Sequence, residues 1–181
     1  MKLVAINTPK PKFSVTAQIR LVGRIVYWNM QCTGPKELPW HTQTHLGEDY
    51  RKNWQLWESD VLETFLQLRT HDEDVAAPYL ELQVSPLNQP LALVIRKPRE
   101  SFYTPLKLSF HSHCQLSETA TQKQWGLEAQ VSLPEELQGV SLWGGVFACL
   151  QAQEREYHAL APWAPAPANF HLPQYFQRLM P

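Results

Sequence analysis

The chain has 181 residues, a formal net charge of −1 and 18% charged residues, so it is long enough for one domain with a sizeable core. There is no basic surplus to hold a phosphate backbone, which argues against nucleic acid as a partner. No segment reaches the roughly 18 to 20 apolar residues of a membrane-spanning helix, and Met1–Asn7 lacks the apolar run of a signal peptide, so a cytoplasmic location without membrane contact is expected. Fifteen prolines against seven glycines, with few long helical patterns, favour strands and loops. The three cysteines, Cys32, Cys114 and Cys149, have no metal-ligand spacing and read as buried free thiols, though one disulfide is compatible with the count.

The elements follow in order. After a polar lead-in, Phe13–Ile19 alternates with period two, as a half-buried strand should. A turn near Gly23 leads into Arg24–Met30, rich in β-branched and aromatic residues. Residues 33–54 lack periodicity and carry Pro35, Pro39, Trp40, His41, His45 and Trp54. They read as a long loop that either serves function or covers a sheet edge.

Strands are then expected over Asp60–Leu68, Tyr79–Val84 and Leu91–Ile95. The apolar continuity of the third points to burial on both faces. Alternation predicts further strands over Leu106–His111 and Trp125–Val131. Pro134–Leu137 fits one helical turn, and Val140–Leu150 a long apolar strand in which Gly144-Gly145 marks a bulge or a close backbone approach. The proline-rich tail 161–171 carries Trp163 and should run irregularly, before a short closing element with Tyr175, Phe176 and Leu179. About eight to ten strands with little helix and no βαβ rhythm describe one all-β domain, an antiparallel β-sandwich of jelly-roll or immunoglobulin-like type.

No catalytic constellation appears, and the chain reads as a non-enzyme. Nucleophile elbow, P-loop and dinucleotide fingerprint are all missing. His41 and His45 lie four apart without a helical pattern, and His111 and His113 lie two apart on one strand face, so neither pair defines a metal site and metal binding stays unassigned. Glu58, Asp60, Glu63 and Glu81 are candidate paired carboxylates, but acidic residues on a wet face are the ordinary explanation. The seven tryptophans are more telling. Trp28, Trp125 and Trp143 sit in apolar strands as core filler; Trp40, Trp54, Trp57 and Trp163 fall in loops or at strand edges. Flat rings stack on the apolar faces of sugars while Glu and Gln bind hydroxyls, a division of labour suited to a carbohydrate site.

Trp57-Glu58-Ser59-Asp60-Val61-Leu62-Glu63-Thr64-Phe65 is similar to the Trp-x-x-Asp-x-x-Glu-x-Phe strand of the family 9 carbohydrate-binding modules, within the wider DOMON-like superfamily. Leu56–Phe65, Tyr79–Pro86 and Ala168–His171 also resemble, in order and spacing, segments of a bacterial DOMON-like subgroup that read Leu-Trp-x-x-Thr-Cys-Phe-Glu-x-Phe, Tyr-x-Glu-Phe-x-x-Ser-Pro and Pro-Asp-Phe-His. The resemblance covers roughly residues 55–180. It implies a β-sandwich and a saccharide held between Trp57 and Trp163, with Glu63 on its hydroxyls. Where the family has an Arg-x-Asn pair, this chain has Glu81 and Gln83, which changes the polar set offered to a ligand. The family's calcium sites do not map onto this sequence. Three readings follow: a non-catalytic sugar-binding module, an interaction or scaffold domain that kept the fold and lost the site, and a haem-binding DOMON domain using Met30 and His158.

Overall fold

The computed structural model describes residues 1–151, 154–160 and 169–180. Its strands are β1 (Leu3–Ala5), β2 (Ser14–Val22), β3 (Ile25–Pro35), β4 (Val61–Arg69), β5 (Tyr79–Val84), β6 (Pro90–Lys97), β7 (Ser101–Tyr103), β8 (Phe110–Glu118), β9 (Gln122–Ser132), β10 (Ser141–Gln151), β11 (Arg155–Leu160) and β12 (Gln177–Met180). Two single 3-10 turns, Leu56–Glu58 and Pro173–Tyr175, supply the helical content of the described residues. None of their helices is long and apolar enough to cross a membrane.

The strands form two packed antiparallel sheets, a β-sandwich. The small sheet runs β2-β3-β9-β8 and the large one β1-β11-β10-β4-β5-β6-β7. β11 and β12 lie end to end along one edge of β10: β11 pairs with Phe147–Gln151 and β12 with Leu142–Gly144. The strand count exceeds expectation because β1, β7 and β12 are edge strands of three or four residues, too short to show a period.

The main core lies between the sheets. Val26, Trp28, Met30 and Cys32 of β3 and Trp125, Leu127 and Val131 of β9 meet Leu62, Leu66, Leu80, Leu82, Val146 and Ala148 of the large sheet. Pleating sends alternate residues to opposite faces, so the odd-numbered positions of β4, β5 and β10 point away from this core. On β4 and β5 they are buried as well: every residue of those two strands is buried. A second hydrophobic layer, with Leu56, Phe65, Tyr79, Leu93, Ile95, Phe147, Phe170 and Phe176, covers that outer face.

Several expectations need correction. The eighth strand begins at Phe110 rather than Leu106 and extends to Glu118. Pro134–Leu137 forms a single turn closed by the Leu137 amide on the Pro134 carbonyl, not a helical element, and the Arg24 guanidinium also donates to the carbonyls of Leu133, Pro134 and Leu137. Gly144-Gly145 marks a close approach: β10 pairs without interruption to β4 there, and a Cβ on Gly144 would stand 2.0 Å from the Phe65 carbonyl oxygen. Trp143 is half-buried on the outer face with the Arg69 guanidinium 4.4 Å from its ring centroid, not core filler between the sheets. The long loop starts after β3, at residue 36, and is firmly held. Asp60 accepts from the amides of His41 (2.8 Å) and Gln151 (2.5 Å), and buried Asn53 donates to the carbonyls of Gly47 (2.6 Å) and Pro90 (2.7 Å). Within that loop Trp40 stacks on Phe13 and meets Trp125 edge-on, which closes one end of the core. All three cysteines are free thiols; Cys32 and Cys149 are buried and Cys114 is half-buried.

Candidate functional site

A cavity of about 470 Å³ opens on the outer face of the large sheet. Its floor is made by the odd positions of β4, β5 and β10. Antiparallel register places Glu63 directly opposite Gln83, and Phe65 opposite Glu81, so Glu63 and Glu81 stand diagonally on neighbouring strands. Cys149 on β10 and Tyr157 on β11 are also register partners and extend the floor sideways.

The walls are aromatic. Trp57 comes from the 3-10 turn just before β4. Trp54 meets it edge-on, with centroids 5.0 Å apart, and stacks on Phe102 of β7 at 5.3 Å. Phe170 stacks on Phe147, with centroids 4.2 Å apart, and meets Tyr157 edge-on. The His171 ring sits 5.1 Å from that of Phe65. Arg155 fixes the Trp57 wall: its guanidinium donates to the carbonyls of Trp57, Glu58 and Ser59, the unpaired C-terminal carbonyls of the turn.

The polar groups of the floor are buried and only partly partnered. Gln83 Nε2 donates to Glu81 Oε1 at 2.7 Å, and Gln83 Oε1 is buried with no partner among the described residues. Glu63 accepts only a long contact, 3.5 Å, from the Cys149 thiol. Burial pushes the Glu63 carboxyl up to about 7, against the opposing pull of the Cys149 hydrogen bond and the Arg155 charge. Burial and the neighbouring Glu63 push Glu81 up to about 8. His171 shares a 2.7 Å hydrogen bond between Nδ1 and the Tyr79 hydroxyl, and its Nε2 lies 3.8 Å from Glu81. Burial and the charge of Arg99 push the imidazole down to about 4, so it is neutral near pH 7.

Of the five residues singled out by the sequence, Trp57, Glu63, Glu81 and Gln83 line this one cavity. Trp163 lies outside the described residues. Sequence reasoning missed Cys149, Arg155 and Tyr157, which period-two counting along β10 and β11 places on the same face as Glu63. It also missed the roles of Trp54, Arg99, Phe102, Phe170 and His171, which come from turns and segments with no period to read. Met30 and His158 are both buried, and His158 Nε2 lies 3.2 Å from Glu156 Oε2, an ion-pair distance when the ring is protonated. Among the described residues no group of three or more His, Cys, Asp or Glu side chains could hold a metal. Two wider clefts, about 1160 and 1080 Å³, are lined by no buried carboxyl group.

In comparisons with known proteins, no family model matches the chain and no curated protein matches it.

Proposed function

We propose that this domain is a non-catalytic binding module whose ligand is a saccharide, held in the outer-face cavity. One observation carries the reading: a floor of three buried polar side chains, Glu63, Glu81 and Gln83, is enclosed by the rings of Trp57, Phe65, Tyr157 and Phe170. Flat apolar walls with a few convergent acceptors match a pyranose, which is apolar above and below its ring and hydroxylated around its edge. The volume of about 470 Å³ falls in the range of small-molecule sites. The resemblance to family 9 carbohydrate-binding modules supports the same reading from the sequence.

The test is tryptophan fluorescence. Trp57 and Trp54 line the cavity, so a bound monosaccharide or oligosaccharide is expected to quench them. Trp57→Ala removes the stacking wall and is expected to weaken binding at least about tenfold. A glycan array without a single hit would sink the proposal.

A further inference from the structure

The floor of the cavity gathers three buried oxygen-bearing side chains, Glu63, Glu81 and Gln83, with no cation paired to either carboxyl among the described residues. Glu63 and Glu81 are 3% and 4% exposed, and neither meets a permanent cation within salt-bridge distance among the described residues. His171, the one basic group close to Glu81, is held neutral by burial and by Arg99. The Arg155 charge pulls on Glu63, but burial outweighs it; its terminal N–H groups are engaged by the carbonyls of Trp57, Glu58 and Ser59, and its Nε is a buried donor without a partner among the described residues. Arg99 and Glu58, of opposite charge, also line the cavity and are both exposed. Cys149 brings a thiol held in its protonated form by burial. The third acceptor is Gln83 Oε1: the amide nitrogen is tied to Glu81, so the carbonyl oxygen is fixed and buried, with no partner among the described residues.

A neutral hydroxyl brings one donor, two acceptor lone pairs and no charge: it pairs with Glu63 and Glu81 where they keep their protons, but it does not draw out the carboxylates that burial holds back, as a cation does. A primary ammonium brings three donors, no acceptor and one positive charge. Charge-assisted bonds to carboxylates are about twice as strong as neutral ones, and the rings of Trp57 and Tyr157 present negative π-faces to a cation. We infer, resting on the saccharide reading above, that the ligand is an amino sugar whose ammonium group is bound by Glu63, Glu81 and Gln83 Oε1.

The experiment compares amino sugars with their neutral counterparts on the intact chain near neutral pH, by tryptophan quenching and calorimetry. The probes are D-glucosamine against D-glucose and N-acetyl-D-glucosamine, and D-galactosamine against D-galactose. At least one amino sugar is expected to bind about tenfold or more tighter than its neutral parents. Glu63→Gln and Glu81→Gln should each erase most of that preference; because it is read first in the unmodified protein, a variant that fails to fold does not decide the matter. Neutral sugars binding as tightly as amino sugars, or tighter, overturn the amino-sugar inference and leave the saccharide reading standing. No binding of any sugar in this panel or on a glycan array overturns both.

Discussion

Glu63 and Glu81 tie the chemistry of the cavity to the stability of the fold. Their folded-state values, about 7 and about 8, lie above the ~4.3 of an unfolded glutamate. Between those limits the native state keeps protons that the unfolded chain has lost. Their contribution is therefore fully present below about pH 4 and is lost as pH rises through 7 and 8. His171 acts in the other direction: it titrates near 4, below the ~6.5 of a free imidazole, so its contribution is present above that value and is lost as pH falls toward 4. Thermal melts from about pH 6 to 9 are expected to show a falling Tm, and Glu63→Gln or Glu81→Gln should flatten that limb. A wild-type profile level across this range contradicts the assignment of two buried carboxyls. The identity of Glu63 as a candidate was legible from its place six residues after Trp57. Its burial was not, because alternation along a strand shows that two faces differ and not that both are covered.

At the scale of elements, β4 and β10 are joined as closely as backbones allow. Gly144 faces the Phe65 carbonyl, and a methyl group there would overlap it at 2.0 Å. Gly144→Ala is expected to cost about 3 kcal/mol by forcing the two strands apart, measured by denaturant unfolding. Gly23 is a useful contrast. It has open space around it and φ +60, so Gly23→Ala meets only backbone strain and should cost about 1 kcal/mol. A cost for Gly144→Ala no larger than that for Gly23→Ala would show that the strands can part cheaply. The glycine pair announced this contact in the sequence, since only a missing side chain permits it. The 3-10 turn bearing Trp57 gave no such notice. Its position depends on Gln55 at φ 69 and on Arg155, 98 residues away from Trp57, and no local pattern encodes that partnership. The turn at Pro134–Leu137 has a similar distant partner: Arg24 donates to its carbonyls from 110 and 113 residues away.

At the scale of the molecule, two hydrophobic layers flank one sheet. The layer between the sheets holds Trp28 and Trp125, both at most 1% exposed; the outer layer holds half-buried Trp57 beside the cavity. Trp28→Ala is expected to cost about 4 kcal/mol through the void it leaves. Trp57→Ala should cost about 1 kcal/mol in stability while removing most of the ligand response. Paired unfolding and quenching measurements on the two variants check this, and equal stability losses would refute it. The sandwich was legible from the alternating strands and the prolines between them. The second layer was not, because its lid comes from turns and from the 170–176 segment, brought onto the sheet by the partial pairing of β12 with β10.

The consequence is one of adaptability. Since the cavity sits outside the inter-sheet core, its exposed rim residues Trp54, Arg99 and Phe102 can be exchanged without disturbing the packing between the two sheets. Loops 54–57, 98–102 and 169–176 supply its rim, and changes of sequence there retune recognition at little risk to folding. Under the proposed function, such a chain can change its ligand through successive folded intermediates, each still a competent sandwich.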